Sequence, residues 1–277
     1  PTTAIAPVDD RFAGRWARIS NKKLAAITRN HVVFRGATNH FLSFEAYIGA
    51  VYPVMSVADK EDLLFPVRGM NGYAQLAYMK LPEGSAVVMP YSPTPHHFAN
   101  MMKRMIGRPY GWGGIYFYND CPQELKSLYA TFGIWLPRHS SNQVTISNMH
   151  DESSLSTSKR IQYLLNNGHP FMTIVYVGGH VFQYIGQYDN PNDPQHKPMA
   201  MTYQNVWGLS PKSHLARSVI GESVLFPLLK TYPEDNALIS LAGKTYFQVA
   251  FLDEPMTTPM SFGIQSGKVN LRSLMMP

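Results

Sequence analysis

From Arg15 to Pro90, short apolar runs alternate with turn residues: WARI, KLAAI, HVVFRG, AYIGAVYPVMSV, LLFPVRGMNGYAQLAYM and AVVMP. Runs of this length, punctuated by Gly, Asn and Pro, predict short strands assembled into a small β-barrel or sandwich. The proline-rich stretch YSPTP at 91–95 reads as a linker, and a domain boundary is placed there. Beyond it the period changes. Phe98, Met101, Met102, Met105 and Ile106 recur at helical spacing before Gly107 and Pro109, which predicts a core-facing helix. Leu125, Leu128, Tyr129 and Phe132 repeat that spacing up to Gly133, so a second helix starts at Cys121. A third is predicted over 155–165. The runs PFMTIVYV, HVFQYIGQY, MAMTYQNVW and SVLFPLL are rich in β-branched and aromatic residues and predict antiparallel strands separated by turn-formers. Helices followed by strands is the α+β order. The tail, 255–277, is rich in Thr, Ser, Met and Gly and is expected to wrap the surface.

Composition changes this picture little. Of 277 residues, 45% are apolar and 15% charged, as in ordinary globular proteins. The longest apolar runs fall far short of the roughly 20 residues that span a bilayer, so no integral membrane segment is expected. The net charge of +6 suits anionic surroundings, but there is no long Lys/Arg run to mark a nucleic-acid partner. A chain that opens on Pro1 rather than Met fits an upstream segment, such as an export signal or lipid anchor.

The single cysteine, Cys121, changes it more, because it cannot form an internal disulfide. Its surroundings read PYGWGGIYFYNDCPQ. Pro122 is tolerated in the first turn of a helix, and Asp120 suits the cap before it, which puts the thiol at a helix N-terminus. Unsatisfied N–H groups and the helix dipole there favour a thiolate and predict a depressed pKa. Two readings stay open, nucleophile or buried packing residue. A nucleophile needs a base. Among ten histidines, His180 alone opens a predicted strand after a glycine pair, Gly178 and Gly179, which would leave its ring unobstructed. His96, His97 and His196 lie in proline-rich loops, and no HxxxH or CxxC spacing suggests a metal site.

The blocks PYGWGG, NDC opening a helix, FGIWLPRHSSNQ, GGHVFQYIG and QNVWGL, taken in this order, resemble the NlpC family of papain-like cell-wall cysteine peptidases over roughly 96–253. The β-rich segment ahead of them resembles the bacterial SH3-like barrels that precede this domain in γ-D-glutamyl-diamino-acid endopeptidases. The resemblance implies Cys121 as nucleophile, His180 as general base and Gln204 as the polar residue orienting the imidazole, with Asn205 as the alternative. It implies Tyr110 near the thiol, helping to hold an oxyanion, where the other reading is a core aromatic. Asp120 would hold the free amino end of a stem peptide, or else only cap the helix. Ser140, within the Arg138-x-Ser140-x-x-Gln143 block, would line the substrate groove, as would Gly179. Pro122 and Gln123 depart from the family's Ser and small residue. The segment 189–198, DNPNDPQHKP, is either a flap over the groove or an idle loop.

The expectation is therefore an α+β protein: an SH3-like barrel over 1–95, a papain-like NlpC peptidase domain over 96–254, and the tail 255–277. Its implied function is hydrolysis of peptidoglycan stem peptides at the D-Glu to diamino-acid bond, in the periplasm or outside the cell. It would act as a monomer, with no metal or organic cofactor. The rivals are an amidase or acyltransferase on the same Cys-His framework and a non-catalytic cell-wall-binding protein.

Overall fold

The structure is a computed structural model that describes residues 6–20, 23–35, 43–57, 60–80, 83–191, 193–213, 215–232, 234–235 and 237–254. The tail 255–277 lies outside them. The first element is a helix, α1 (Asp10–Ser20), where the run WARI suggested a strand. Phe12, Trp16 and Ile19 are spaced for one helical face, and Asp9 Oδ1 accepts from the Phe12 N–H at 2.7 Å to cap it. Seven strands follow: β1 (Leu24–Ile27), β2 (Val32–Arg35), β3 (Ser43–Ala46), β4 (Val51–Val57), β5 (Lys60–Arg68), β6 (Ala74–Lys80) and β7 (Ala86–Val88). They form an antiparallel sheet of order β6-β5-β4-β1-β7 and a separate β2-β3 hairpin. Among the described residues these strands do not close into a barrel.

The second half carries α2 (Pro95–Lys103), α3 (Cys121–Ala130), α4 (Ser140–Gln143), β8 (Met149–Asp151) and α5 (Thr157–Asn167). Strands β9 (Thr173–Tyr176), β10 (Val181–Asp189), β11 (Pro198–Leu209), β12 (Ser218–Leu228) and β13 (Gln248–Phe251) complete it. The sheet order is β12-β11-β10-β9-β13-β8, all antiparallel. Helix α2 stops at Lys103, so Met105 is buried in the following turn while Ile106, expected on the helix's apolar face, is 41% exposed.

Strand alternation divides the core in two. Ile174, Val181, Tyr203 and Ala250 face α2 and α3, whereas Val175, Phe182 and Val249 face Leu164 of α5. Leu125 and Leu128 are fully buried on α3, and each contributes roughly 1.5–3 kcal/mol by leaving water. The N-terminal sheet has its own core around Ile27, Leu63 and Met79. It docks on α3 through the turn after β3. Ile48 enters the α2–α3 core, and Gly49, at φ +86°, approaches so closely that a Cβ there would lie 2.5 Å from the Ser127 backbone. Arg104 ties the two parts by donating to the Thr28 carbonyl at 2.8 Å.

Candidate active site

Cys121 is the first residue of α3, as its neighbours predict. The Asp120 carboxylate caps the helix, accepting from the Gln123 N–H at 3.1 Å through Oδ1. Its other oxygen accepts from the Gly113 N–H at 3.1 Å and from Arg138 at 2.6 Å. Asp120 thus joins three segments: the helix start, the glycine turn and the Arg138 block. Gln143 secures the same corner, donating to the Pro122 carbonyl at 2.7 Å and the Pro137 carbonyl at 2.9 Å. Ser140 opens α4 and lines neither cavity beside the glycine turn.

The Tyr110 hydroxyl and the Val181 N–H lie near enough to the Cys121 thiol to act on its charge. Val181 follows His180 directly, so the imidazole belongs to the residue next to one that acts on the thiol. His180 Nε2 donates to Gln204 Oε1 at 2.7 Å. The ring's orientation is set from further back. Thr202 Oγ1 donates to the Phe226 carbonyl at 2.6 Å and accepts from Gln204 Nε2 at 2.9 Å. The amide oxygen of Gln204 must then face His180, which places the ring proton on Nε2 and leaves Nδ1 unprotonated. Asn205 points to the opposite face of β11, where it donates to the Asn119 carbonyl at 2.9 Å, and has no part in this relay.

Electrostatics differ from the expectation. Burial pushes the Cys121 thiol up to about 11, outweighing the Val181 N–H and the helix terminus that pull it down. Burial likewise pushes His180 down to about 4, against the Gln204 hydrogen bond, and Tyr110 up to about 12. At neutral pH thiol, imidazole and phenol are therefore all uncharged. Such a pair can still work, because an imidazole with a free Nδ1 accepts the thiol proton as sulfur attacks a carbonyl.

A cleft of about 730 Å³ opens here, walled by Tyr110, Trp112, Gly179, His180 and Trp207. Of the segment read as flap or loop, Asp189 ends β10 about 30 Å along the strand from His180, and Asn190 and Pro191 wall a different cavity, so these residues do not cover the cleft. On the other side of the glycine turn, a cavity of about 460 Å³ lies between residues 45–52 and the start of α3, with Gln123 and Arg138 in its wall.

Beneath α3 is a buried network the pattern of the chain did not announce. Glu124, fully buried, accepts from Asn119 at 2.7 Å, from Ser223 at 2.7 Å and from the Tyr203 hydroxyl. A signal existed, since Glu124 shares the apolar face of α3 with Cys121, Leu125 and Leu128. Thr202 carried none, because its role depends on a neighbour strand.

No protein-family model and no curated protein matches the sequence. Among solved structures, an NlpC/P60 endopeptidase from Photobacterium damselae subsp. piscicida superposes with a TM-score of 0.77 at 27% identity, covering 91% of this chain. The fold is similar to that of NlpC/P60 proteins. An NlpC/P60 family protein from Bacillus cereus superposes over 82% of this chain, with a TM-score of 0.50 and 15% identity. The chain spans 57% of the first of these chains and 65% of the second.

Proposed function

We propose that this chain is a cysteine peptidase that hydrolyses bacterial cell-wall stem peptides, in the periplasm or outside the cell. The observation that carries this reading is the relay from Thr202 through Gln204 to His180, which leaves Nδ1 free as a base on the residue preceding Val181, whose N–H acts on the Cys121 thiol at the start of α3. The similarity to an NlpC/P60 endopeptidase supports the reaction class. The γ-D-glutamyl-diamino-acid bond is the favoured target, and the N-terminal sheet stands where an SH3-like domain would, with 91–95 as the division.

In this mechanism the thiol proton moves to His180 Nδ1 as sulfur attacks the carbonyl. The oxyanion meets the Tyr110 hydroxyl and the Cys121 N–H, the one first-turn donor that neither Asp120 oxygen nor backbone takes. The C–N bond breaks as the imidazolium protonates the leaving amine. Water then hydrolyses the thioester, with His180 again as base. Mass spectrometry of muropeptides incubated with the protein tests this. Cleavage between D-Glu and the diamino acid that vanishes in Cys121→Ala is expected, and muropeptides left intact by the wild-type protein would refute it.

A further inference from the structure

The walls of the cleft carry two cations, Arg217 and Lys244, beyond His180, and no carboxylate. Arg217 sits just before β12, and Lys244 follows the short 3-10 helix Leu241–Gly243. Among the described residues no acidic group lies within ion-pair distance of either. Their polar contacts are weak: Arg217 donates to the Gly208 carbonyl at 3.4 Å and Lys244 to Ser210 Oγ at 3.5 Å. The backbone beneath Lys244 is held firmly, because buried Arg160 donates to the Lys244 carbonyl at 2.5 Å and to the Ala242 carbonyl at 2.9 Å. The root of Lys244 is therefore fixed while its half-buried ammonium stays mobile, within the field of the exposed Arg217 guanidinium and with no anion paired to either, so the two charges together favour an anionic ligand.

We infer that Arg217 and Lys244 form a carboxylate-binding subsite for the leaving half of the substrate, at the His180 end of the cleft. The side follows from the chemistry of the proposed reaction, on which this assignment to the leaving half rests: His180 protonates the departing amine, so what lies beyond His180 belongs to that amine. The cations also separate by side: Arg217 and Lys244 wall the cleft together with Gly179 and His180, whereas Arg138 walls the separate cavity across the glycine turn. A planar guanidinium and a mobile ammonium together suit a carboxylate that the leaving residue carries, as an amino acid or diamino acid would.

The test uses the full chain and two amine-free probes, pimelate and neutral pimelamide, with binding followed by ligand-observed NMR. Wild-type protein should bind pimelate at least about tenfold more tightly than pimelamide, the size of one charge-assisted hydrogen bond. Arg217→Gln and Lys244→Gln should each erase most of that preference while leaving pimelamide binding alone, and raised salt should weaken only pimelate. The inference is overturned if wild-type protein shows no preference, or if both variants keep it. The same ratio is then read in kcat/KM on stem peptides ending in a free or an amidated diaminopimelate. Loss of the acid preference in the variants supports the subsite, and cleavage with an unchanged ratio refutes it while leaving the peptidase reading intact. If no stem peptide is cut but the pimelate preference depends on Arg217 and Lys244, the reaction fails and the anion site stands.

Discussion

His180 Nε2 donates to Gln204 Oε1 at 2.7 Å, and the Gln204 amide is itself held by Thr202, so the imidazole's tautomer is fixed by a relay ending on the backbone of β12. Gln204→Ala removes the ring's acceptor, and Thr202→Val removes what orients that acceptor. Loss of a hydrogen bond to an imidazolium costs about 1.5–3 kcal/mol, or roughly 10–100-fold in kcat, for Gln204→Ala. Thr202→Val should cost less, with KM little changed in both. Wild-type kcat in Gln204→Ala would remove the relay from the mechanism.

Neutral thiol and neutral imidazole set the pH profile. Activity needs His180 unprotonated, so the acid limb of kcat/KM should fall near pH 4, with a plateau reaching towards the Cys121 value of about 11. The Gln204 bond raises the His180 pKa, so Gln204→Ala should move the acid limb lower still. Iodoacetamide labelling should stay slow below pH 8 and climb about tenfold per pH unit above it, following the thiolate fraction. Rapid labelling at pH 6 would instead reveal a thiolate–imidazolium pair.

Linkage gives the same groups a signature in stability. The folded His180 pKa lies below the ordinary 6.5, so its contribution is fully present above pH 6.5 and is lost as pH falls towards 4. His180→Asn should flatten the decline of Tm across that window. An unchanged slope would mean that other groups control acid unfolding.

The position of Cys121 at a helix start was legible because Asp-Cys-Pro carries two independent local signals, a cap and a first-turn proline, and α3 begins where they say. Gln204 came from the family resemblance, by its place before Asn205-Val206-Trp207-Gly208, and its hydrogen bond to His180 is what the structure adds. The thiol's pKa was not legible. A helix terminus is visible in sequence, but the burial that overrides it depends on Tyr110 and β10 arriving from elsewhere. Strand β13 was missed for a related reason: it pairs with β9, more than seventy residues earlier, and no local period records that. The N-terminal runs after WARI announced strands but not their arrangement, and WARI itself falls in α1 because its spacing supports a helical face as well as a strand.

Glu124 supports the floor of the site. Glu124→Ala would leave donors on Asn119, Tyr203 and Ser223 buried without an acceptor, at a cost above about 3 kcal/mol. Glu124→Gln keeps the shape but turns one acceptor into a donor facing donors, and should lie between Ala and wild type. Equal stability of all three in denaturant unfolding would show that the network relaxes around the loss.

The docking of the N-terminal sheet on α3 rests on Gly49. A side chain there meets two penalties: its φ of +86°, and a Cβ 2.5 Å from both the Ser127 Cα and its carbonyl oxygen. Backbone on both sides cannot step aside, so Gly49→Ala should lever the sheet off the helix. Gly72 provides the control, with φ +83° but only the Arg68 side chain at 3.7 Å. Both variants carry the left-handed penalty of roughly 1–2 kcal/mol, and only Gly49→Ala adds the collision. Gly49→Ala should therefore lose more Tm and become sensitive to proteolysis at 91–95. The cavity between residues 45–52 and Arg138 opens with it, so if that cavity holds the amino end of a peptide, Gly49→Ala should lose its preference for free over N-acetylated stem peptides. Equal loss of Tm in Gly49→Ala and Gly72→Ala would show that the contact at Ser127 adds nothing. An unaltered peptide preference in a loosened Gly49→Ala protein would assign recognition of the amino end to Asp120 and α3 alone.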